Sequence, residues 1–95
     1  MAELLVELAA KASAKMDVSD DAVEKLTGPK MTNPAKAAIR SVANVVTREV
    51  NGVLYCNLCG RGPFTKKGMF LHLSRLHRGE IRALLKDYLN RGEAR

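Results

Sequence analysis

The chain has 95 residues, of which 46% are hydrophobic and 4% aromatic, and its formal net charge at pH 7 is +6. A chain of this length can form one small domain or two very small pieces, and so short a chain would gain much stability from binding a metal ion. We expect no membrane span and no signal peptide, because the apolar runs are short and Glu3 and Glu7 interrupt the N-terminal one.

The first two predicted helices lie before residue 30. Apolar side chains recur at helical spacing over residues 2–16, which predicts an amphipathic helix. A second helix is predicted to start at Ser19, with Asp20 and Asp21 where the helix dipole favours acidic groups, and to continue through residues 22–26. Gly28-Pro29 should end this second helix.

A third helix is predicted to begin at Asn33-Pro34, with Asn33 as the cap and Pro34 at the first helical position. Its apolar face comprises Ala38, Ile39, Val42 and either Val45 or Val46. Residues 1–44 contain no paired carboxylates, nucleophile or phosphate-binding loop. We interpret them as a helical N-terminal region that packs on the rest of the chain or on a protein partner.

A β-hairpin is predicted immediately after this region. Two segments of strand-like composition, residues 45–50 and 53–56, flank the pair Asn51-Gly52. This pair suits a two-residue type I′ turn, in which both central residues have positive φ. The first strand of this hairpin lies before the cysteine and histidine pattern and is an extra leading strand.

Four residues fit the pattern C-x2-C-x12-H-x4-H, and they are the only cysteines and histidines in the chain: Cys56, Cys59, His72 and His77. Thiolates and imidazoles in two local pairs are the ligands of a structural zinc ion, so we predict one such ion. The alternatives are a redox pair of cysteines, or thiols and surface histidines without a shared role. A redox pair would need a βαβ context, which the sequence does not show.

Residues 53–77 resemble the two-Cys, two-His zinc finger family, in which a β-hairpin and a helix enclose zinc. Gly60 suits the tight turn after the second cysteine, and Thr65 is a suitable cap for a helix over residues 66–77. One face of that helix carries Met69, His72, Leu73 and Leu76, which could cover the metal. The chain departs from the family in having Leu54, Pro63 and Met69 at positions where the family has an aromatic residue, phenylalanine and leucine.

A last helix is predicted after Gly79, over about residues 80–90. Its apolar stripe is Ile81, Leu84, Leu85 and Tyr88, with Arg82, Lys86 and Arg91 off the stripe. Residues 45–95 are therefore predicted to be a zinc-finger region with an extra leading strand and a trailing helix. The whole chain is predicted to be a small zinc-stabilised α+β domain: N-terminal helices, a β-hairpin, a ββα zinc finger and a C-terminal helix.

The positive charge is concentrated in the second half. Residues 1–50 contain seven basic and seven acidic residues, whereas residues 51–95 contain nine basic and three acidic ones. A basic surface beside a zinc module is typical of nucleic-acid binding, although it could also be an ordinary solvated face. The predicted contact residues are Arg61, Lys66, Lys67, Arg75, Arg78 and Arg82.

The resemblance to the finger family implies that Thr65, Gly68 and Leu71 occupy the positions that face DNA bases. Gly68 has no side chain and Leu71 offers no hydrogen bond, so we expect poor sequence reading and mainly backbone contacts. We expect binding to structured RNA in a ribonucleoprotein particle such as a ribosome. The alternatives are a DNA-binding transcription regulator and a zinc-stabilised protein–protein adaptor.

We do not expect an enzyme. Four protein ligands would leave no position on the zinc ion for an activated water, and the sequence contains no other catalytic set. Because the cysteines are predicted to bind metal and not to form disulfides, we expect a cytoplasmic or other intracellular location.

Overall fold

A computed structural model describes residues 3–93, which form five α-helices and a two-stranded antiparallel hairpin. The elements in chain order are α1 (Glu3–Ser13), α2 (Asp20–Thr27), α3 (Thr32–Val46), β1 (Thr47–Val50), β2 (Val53–Cys56), α4 (Lys66–Leu76) and α5 (Arg78–Glu93). The α+β class is therefore confirmed. No helix within residues 3–93 combines the length and the apolar character that crossing a membrane requires.

Helix α1 ends three residues earlier than its apolar pattern predicted. Lys15 adopts a positive φ of 63°, and its N–H donates to the Ala12 carbonyl at 3.0 Å. The Met16 N–H returns to the Lys11 carbonyl at 2.9 Å. These two bonds form a Schellman ending, which satisfies the last carbonyls of the helix and turns the chain away. The predicted start at residue 2 lies outside the described residues.

Helix α2 has the predicted start at Ser19 and extends one residue beyond the predicted end, to Thr27. The Ser19 hydroxyl accepts a hydrogen bond from the Ala22 N–H at 3.1 Å, which caps the helix in front of Asp20. Gly28, with φ of 81°, ends the helix by donating its N–H to the Glu24 carbonyl at 2.7 Å.

Helix α3 begins two residues before the position predicted from Asn33-Pro34. Its N-cap is Met31, which makes no side-chain capping bond, so the prediction of Asn33 as the cap is wrong. The Thr32 hydroxyl instead donates to the Gly28 carbonyl at 2.9 Å, tying the start of α3 to the end of α2. Pro34 is tolerated because N–H groups in the first helical turn have no intrahelical partner.

The hairpin has the predicted turn. Asn51 and Gly52 have φ values of 52° and 83°, as a type I′ turn requires. Strand β1 pairs with β2 from Thr47 opposite Cys56 to Val50 opposite Val53. The first strand is shorter than predicted, because Val45 and Val46 still belong to α3.

Helices α1 and α3 lie at the centre of the packing. Helix α3 contacts α1, α2 and α5, and α1 also contacts α4 and α5. One hydrophobic core includes buried side chains from all five helices and β2, among them Val6, Val23, Val42, Leu54, Met69, Leu73, Ile81 and Leu85. The helices of residues 1–44 and the elements that carry the metal-binding pattern are therefore buried against each other.

The boundary between α4 and α5 differs from the prediction. The break falls at His77, which has φ of −126° and ψ of 21°, and not at Gly79, which lies in the first turn of α5. The His77 N–H donates to the Leu73 carbonyl, and the His77 carbonyl accepts from the Ile81 N–H, both at 3.0 Å. His77 therefore ends one helix and begins the next.

Candidate metal centre

A closed loop positions the two cysteines. At its base, Leu54 and Phe64 exchange backbone hydrogen bonds of 3.2 and 2.7 Å. Further along, the Cys56 N–H donates to the Arg61 carbonyl at 2.8 Å. The Gly60 N–H donates to the Cys56 carbonyl at 2.7 Å, with Gly60 at φ of 78°. The predicted turn at Gly60 is thus confirmed, and both sulfurs lie on one compact loop.

Asn57, between the two cysteines, attaches this loop to α3. Its backbone N–H donates to the Val46 carbonyl at 2.8 Å, and its side-chain amide donates to the Val45 carbonyl at 3.1 Å. Carbonyls at the C-terminal end of a helix have no partner within it. Asn57 therefore satisfies two such groups and holds the cysteine loop against α3.

Helix α4 positions the first histidine. The Thr65 hydroxyl accepts from the Gly68 N–H at 3.1 Å, which confirms Thr65 as the cap. Met69 and Leu73 are fully buried and orient the helix on the core. The His72 ring stacks on Phe64 with a centroid distance of 4.6 Å. Leu76, which the helical pattern placed on the same face as Met69 and Leu73, is 58% exposed and does not pack in the core.

The four predicted ligand residues come together. One ligand atom from each of Cys56, Cys59, His72 and His77 lies within 4.8 Å of the others, an arrangement that can hold a metal ion. Cys59 Sγ lies 3.3 Å from His72 Nε2. Cys56 and His77 are buried, His72 is partly buried and Cys59 is exposed. The cluster therefore sits at the edge of the core with one thiol facing solvent.

The protein environment moves the pKa values of the two thiols in opposite directions. Burial raises the pKa of Cys56. The pKa of Cys59 is lowered, chiefly by a hydrogen bond with the Arg61 backbone, and also by its neighbours His77 and Cys56. Cys59 is therefore the more readily ionised of the two thiols. This matters because a thiol must lose its proton to bind a metal ion.

The two imidazoles also differ. The pKa of His72 is lowered, mainly by burial and also by the charges of His77 and Arg61. Burial acts to lower the pKa of His77 as well, but interactions with Glu80 and the Cys59 thiolate outweigh it and raise that pKa. A lowered pKa favours the neutral imidazole, which is the metal-binding form of His72.

The ring of His77 has one nitrogen bonded and one without a partner. Nδ1 lies 2.6 Å from Glu80 Oε1, whereas Nε2 is buried and has no hydrogen-bond partner. A buried polar atom without a partner is costly, and metal ligation would satisfy it. The donor set of two thiols and two imidazoles, with this nitrogen free, therefore fits a metal ion.

No protein-family model, curated protein or solved structure matches this chain. The similarity to two-Cys, two-His fingers thus depends on the spacing of the four residues and on their observed proximity.

The predicted nucleic-acid contacts lie on three elements. Arg61 is exposed on the cysteine loop, Lys66 and Lys67 are exposed in the first turn of α4, and Arg75 is exposed in its last turn. Arg82 is exposed on α5, but Arg78 is half-buried and lies 3.9 Å from the carboxylate of Glu7. Five of the six predicted contact residues are therefore exposed, four of them on the cysteine loop and α4.

Sequence reasoning missed Asn57 and Glu80. Glu80 follows His77 by three residues at the start of a helix, a spacing that brings side chains together and could have been recognised. No local pattern links Asn57 to Val45, because these residues meet only through tertiary packing.

Proposed function

We propose that this chain is a zinc-stabilised nucleic-acid-binding protein that contacts mainly the phosphate backbone, with structured RNA as its favoured ligand. The observation that carries the proposal is a stretch of sequence without acidic residues that contains all four ligand residues. Between Glu49 and Glu80 the chain contains five basic residues and no acidic one. This stretch includes all four cluster residues and the whole of α4.

Zinc is the metal that best suits the four ligands. Two thiolates and two imidazoles match its usual structural sites. Zinc–sulfur bonds of about 2.3 Å and zinc–nitrogen bonds of about 2.0 Å, at the tetrahedral angle, separate the two ligand atoms by about 3.5 Å. The 3.3 Å between Cys59 Sγ and His72 Nε2 is close to that separation. With four protein ligands the ion would be structural, and we propose no enzymatic activity.

The exposed side of α4 supports a role in phosphate binding. Lys67, Leu71 and Arg75 follow each other at intervals of four residues and are all exposed, opposite the buried Met69 and Leu73. This arrangement places two cations on the solvent side of the helix, where they can contact phosphates without reading sequence. The nearby Lys66 adds a further cation at the start of α4.

The same helix is poorly equipped to read bases. The Thr65 hydroxyl is engaged in capping α4, Gly68 has no side chain, and Leu71 is apolar. Discrimination between bases in the major groove requires hydrogen-bonding side chains, and one finger spans only about 3 base pairs. These features favour recognition of a folded RNA backbone over recognition of a defined DNA sequence.

The proposal is tested with zinc-loaded protein and fluorescently labelled RNA hairpin and duplex DNA of matched sequence. Fluorescence anisotropy over a series of salt concentrations gives the affinity and its salt dependence. We expect tighter binding to the RNA and a linear fall of log affinity with log salt. The double variant Lys67→Glu/Arg75→Glu should weaken binding and reduce the salt slope by about 2.

The double variant Lys25→Glu/Lys30→Glu is the matched control. It makes the same change in net charge at two exposed residues in and after α2, which packs on α1 and α3. Its affinity should stay near that of the unmodified protein. Absence of binding to both nucleic acids at low salt would refute the proposal and favour the adaptor. Preference for one duplex sequence would favour a DNA regulator.

A further inference from the structure

The contact between His77 and Glu80 suggests a role for a residue outside the ligand set. Glu80 Oε1 lies 2.6 Å from Nδ1 of His77. An ionised carboxylate can only accept a hydrogen bond, so this contact assigns the ring proton to Nδ1. The other nitrogen, Nε2, then presents its lone pair for metal binding.

The fold explains why Glu80 reaches this position. His77 ends α4, and α5 begins at the next residue, so Glu80 stands in the first turn of α5. Its side chain is 52% exposed, whereas that of His77 is 9% exposed. The carboxylate therefore lies at the rim of the cluster and bonds to the outer nitrogen of a buried ring.

We propose that Glu80 is a positioning residue of the metal centre, which holds His77 in the tautomer and orientation that direct Nε2 to the ion. This inference rests on the zinc site of the proposed function and goes beyond it, since it concerns no nucleic acid. Carboxylates bonded to metal-binding histidines fix the ring and strengthen it as a ligand, and their loss typically lowers metal affinity about 10-fold to 100-fold.

A purely structural role for Glu80 predicts different behaviour. An acidic residue in the first turn of a helix is stabilised by the helix dipole, whatever it contacts. Gly79, in the same turn, provides a way to separate the two roles, because a Cβ added there meets no atom within 4 Å. The substitution Gly79→Glu would restore the charge to the turn. Its side chain would not face His77, because residues two positions apart lie on different faces of a helix.

The experiment measures zinc affinity of the full chain by competition with a chromophoric chelator. Glu80→Ala should lower the affinity about 10-fold or more, and Glu80→Gln should lower it less, because the amide oxygen can still accept from Nδ1. The variant Gly79→Glu/Glu80→Ala should remain as weak as Glu80→Ala. Asp87→Asn, which removes an exposed carboxylate from the same helix, should leave the affinity unchanged.

Nuclear magnetic resonance of the zinc-loaded protein supplies a readout that helix stability alone would not change. The Nδ1 proton of His77 should be protected from exchange with water in the unmodified protein and exchange faster in Glu80→Ala. An affinity of Glu80→Ala within twofold of the original, or full recovery in Gly79→Glu/Glu80→Ala, would overturn the inference. If the unmodified chain binds no zinc, both the zinc site of the proposed function and the inference fail.

Discussion

The side-chain amide of Asn57 donates a hydrogen bond of 3.1 Å to the backbone carbonyl of Val45. This bond joins the loop between the two cysteines to the end of α3, alongside the backbone bond from Asn57 to Val46. The four ligand residues are therefore attached to α3. A zinc finger that folded by itself would not need such an attachment.

Removal of the metal should unfold residues 3–93 as a whole and not only their C-terminal half. Metal binding is coupled to folding, and the elements that carry the ligands share one core with α1 and α3. The measurement is hydrogen exchange of the α1 and α3 amides before and after chelation. Continued protection of those amides in chelated protein would show that the N-terminal helices fold independently.

Replacement of Asn57 should weaken the attachment to α3. Asn57→Asp keeps the shape of the side chain but loses the donor to Val45, and should lower the free energy of unfolding by about 1 kcal/mol. Urea denaturation of the metal-loaded protein measures this change. Asn44→Asp is a suitable comparison, because the Asn44 side chain is exposed on α3 and makes no hydrogen bond within residues 3–93. Equal losses in the two variants would mean that the bond contributes nothing specific.

Lys15→Gly should stabilise the protein. Lys15 has φ of 63° at the end of α1 and an exposed side chain, a conformation that costs a non-glycine residue about 1–2 kcal/mol. Since glycine loses more entropy on folding, the net gain should be about 0.5–1 kcal/mol. Thermal denaturation should show a higher midpoint for Lys15→Gly and no gain for Lys15→Ala, which removes the same charge. A similar gain in both variants would point to charge and not to backbone strain.

Gly62→Ala should destabilise the cysteine loop strongly. Gly62 has φ of 152°, and a Cβ there would lie 2.5 Å from Cδ1 of Tyr55 and 2.9 Å from the Leu54 carbonyl oxygen. We expect a loss of about 2–4 kcal/mol from the combined overlap and backbone strain. Gly52→Ala is the matched control, because its positive φ of 83° causes strain but its Cβ meets nothing within 4 Å. A loss from Gly62→Ala no larger than that from Gly52→Ala would contradict the proposed overlap.

Much of the local structure was predictable from the sequence. The caps at Ser19 and Thr65 and the turn at Asn51-Gly52 all involve residues at most a few positions apart. The apolar stripe of α5 was also predicted, with Ile81 and Leu85 fully buried. These features follow from short-range hydrogen bonds, allowed backbone angles and helical periodicity, which act before distant segments meet.

The element boundaries were less predictable. Local rules favoured a cap at Asn33, whereas the bond from Thr32 to Gly28 moved the start of α3. They favoured a break at Gly79, whereas α4 ends at His77. A glycine lowers helix stability only modestly, so packing of Ile81 and Leu85 on the core outweighs its effect.

The sequence by itself determined which four side chains could form a metal site, because thiols and imidazoles occur nowhere else in the chain and their spacing is local. Only the tertiary structure decided that Asn57 anchors the site to α3, that Glu80 bonds to His77, and that Leu76 faces solvent. Those outcomes depend on how α1, α3 and α5 pack around the cluster. Burial and contact between separate elements arise only when the core forms. A short stretch of sequence therefore does not specify them.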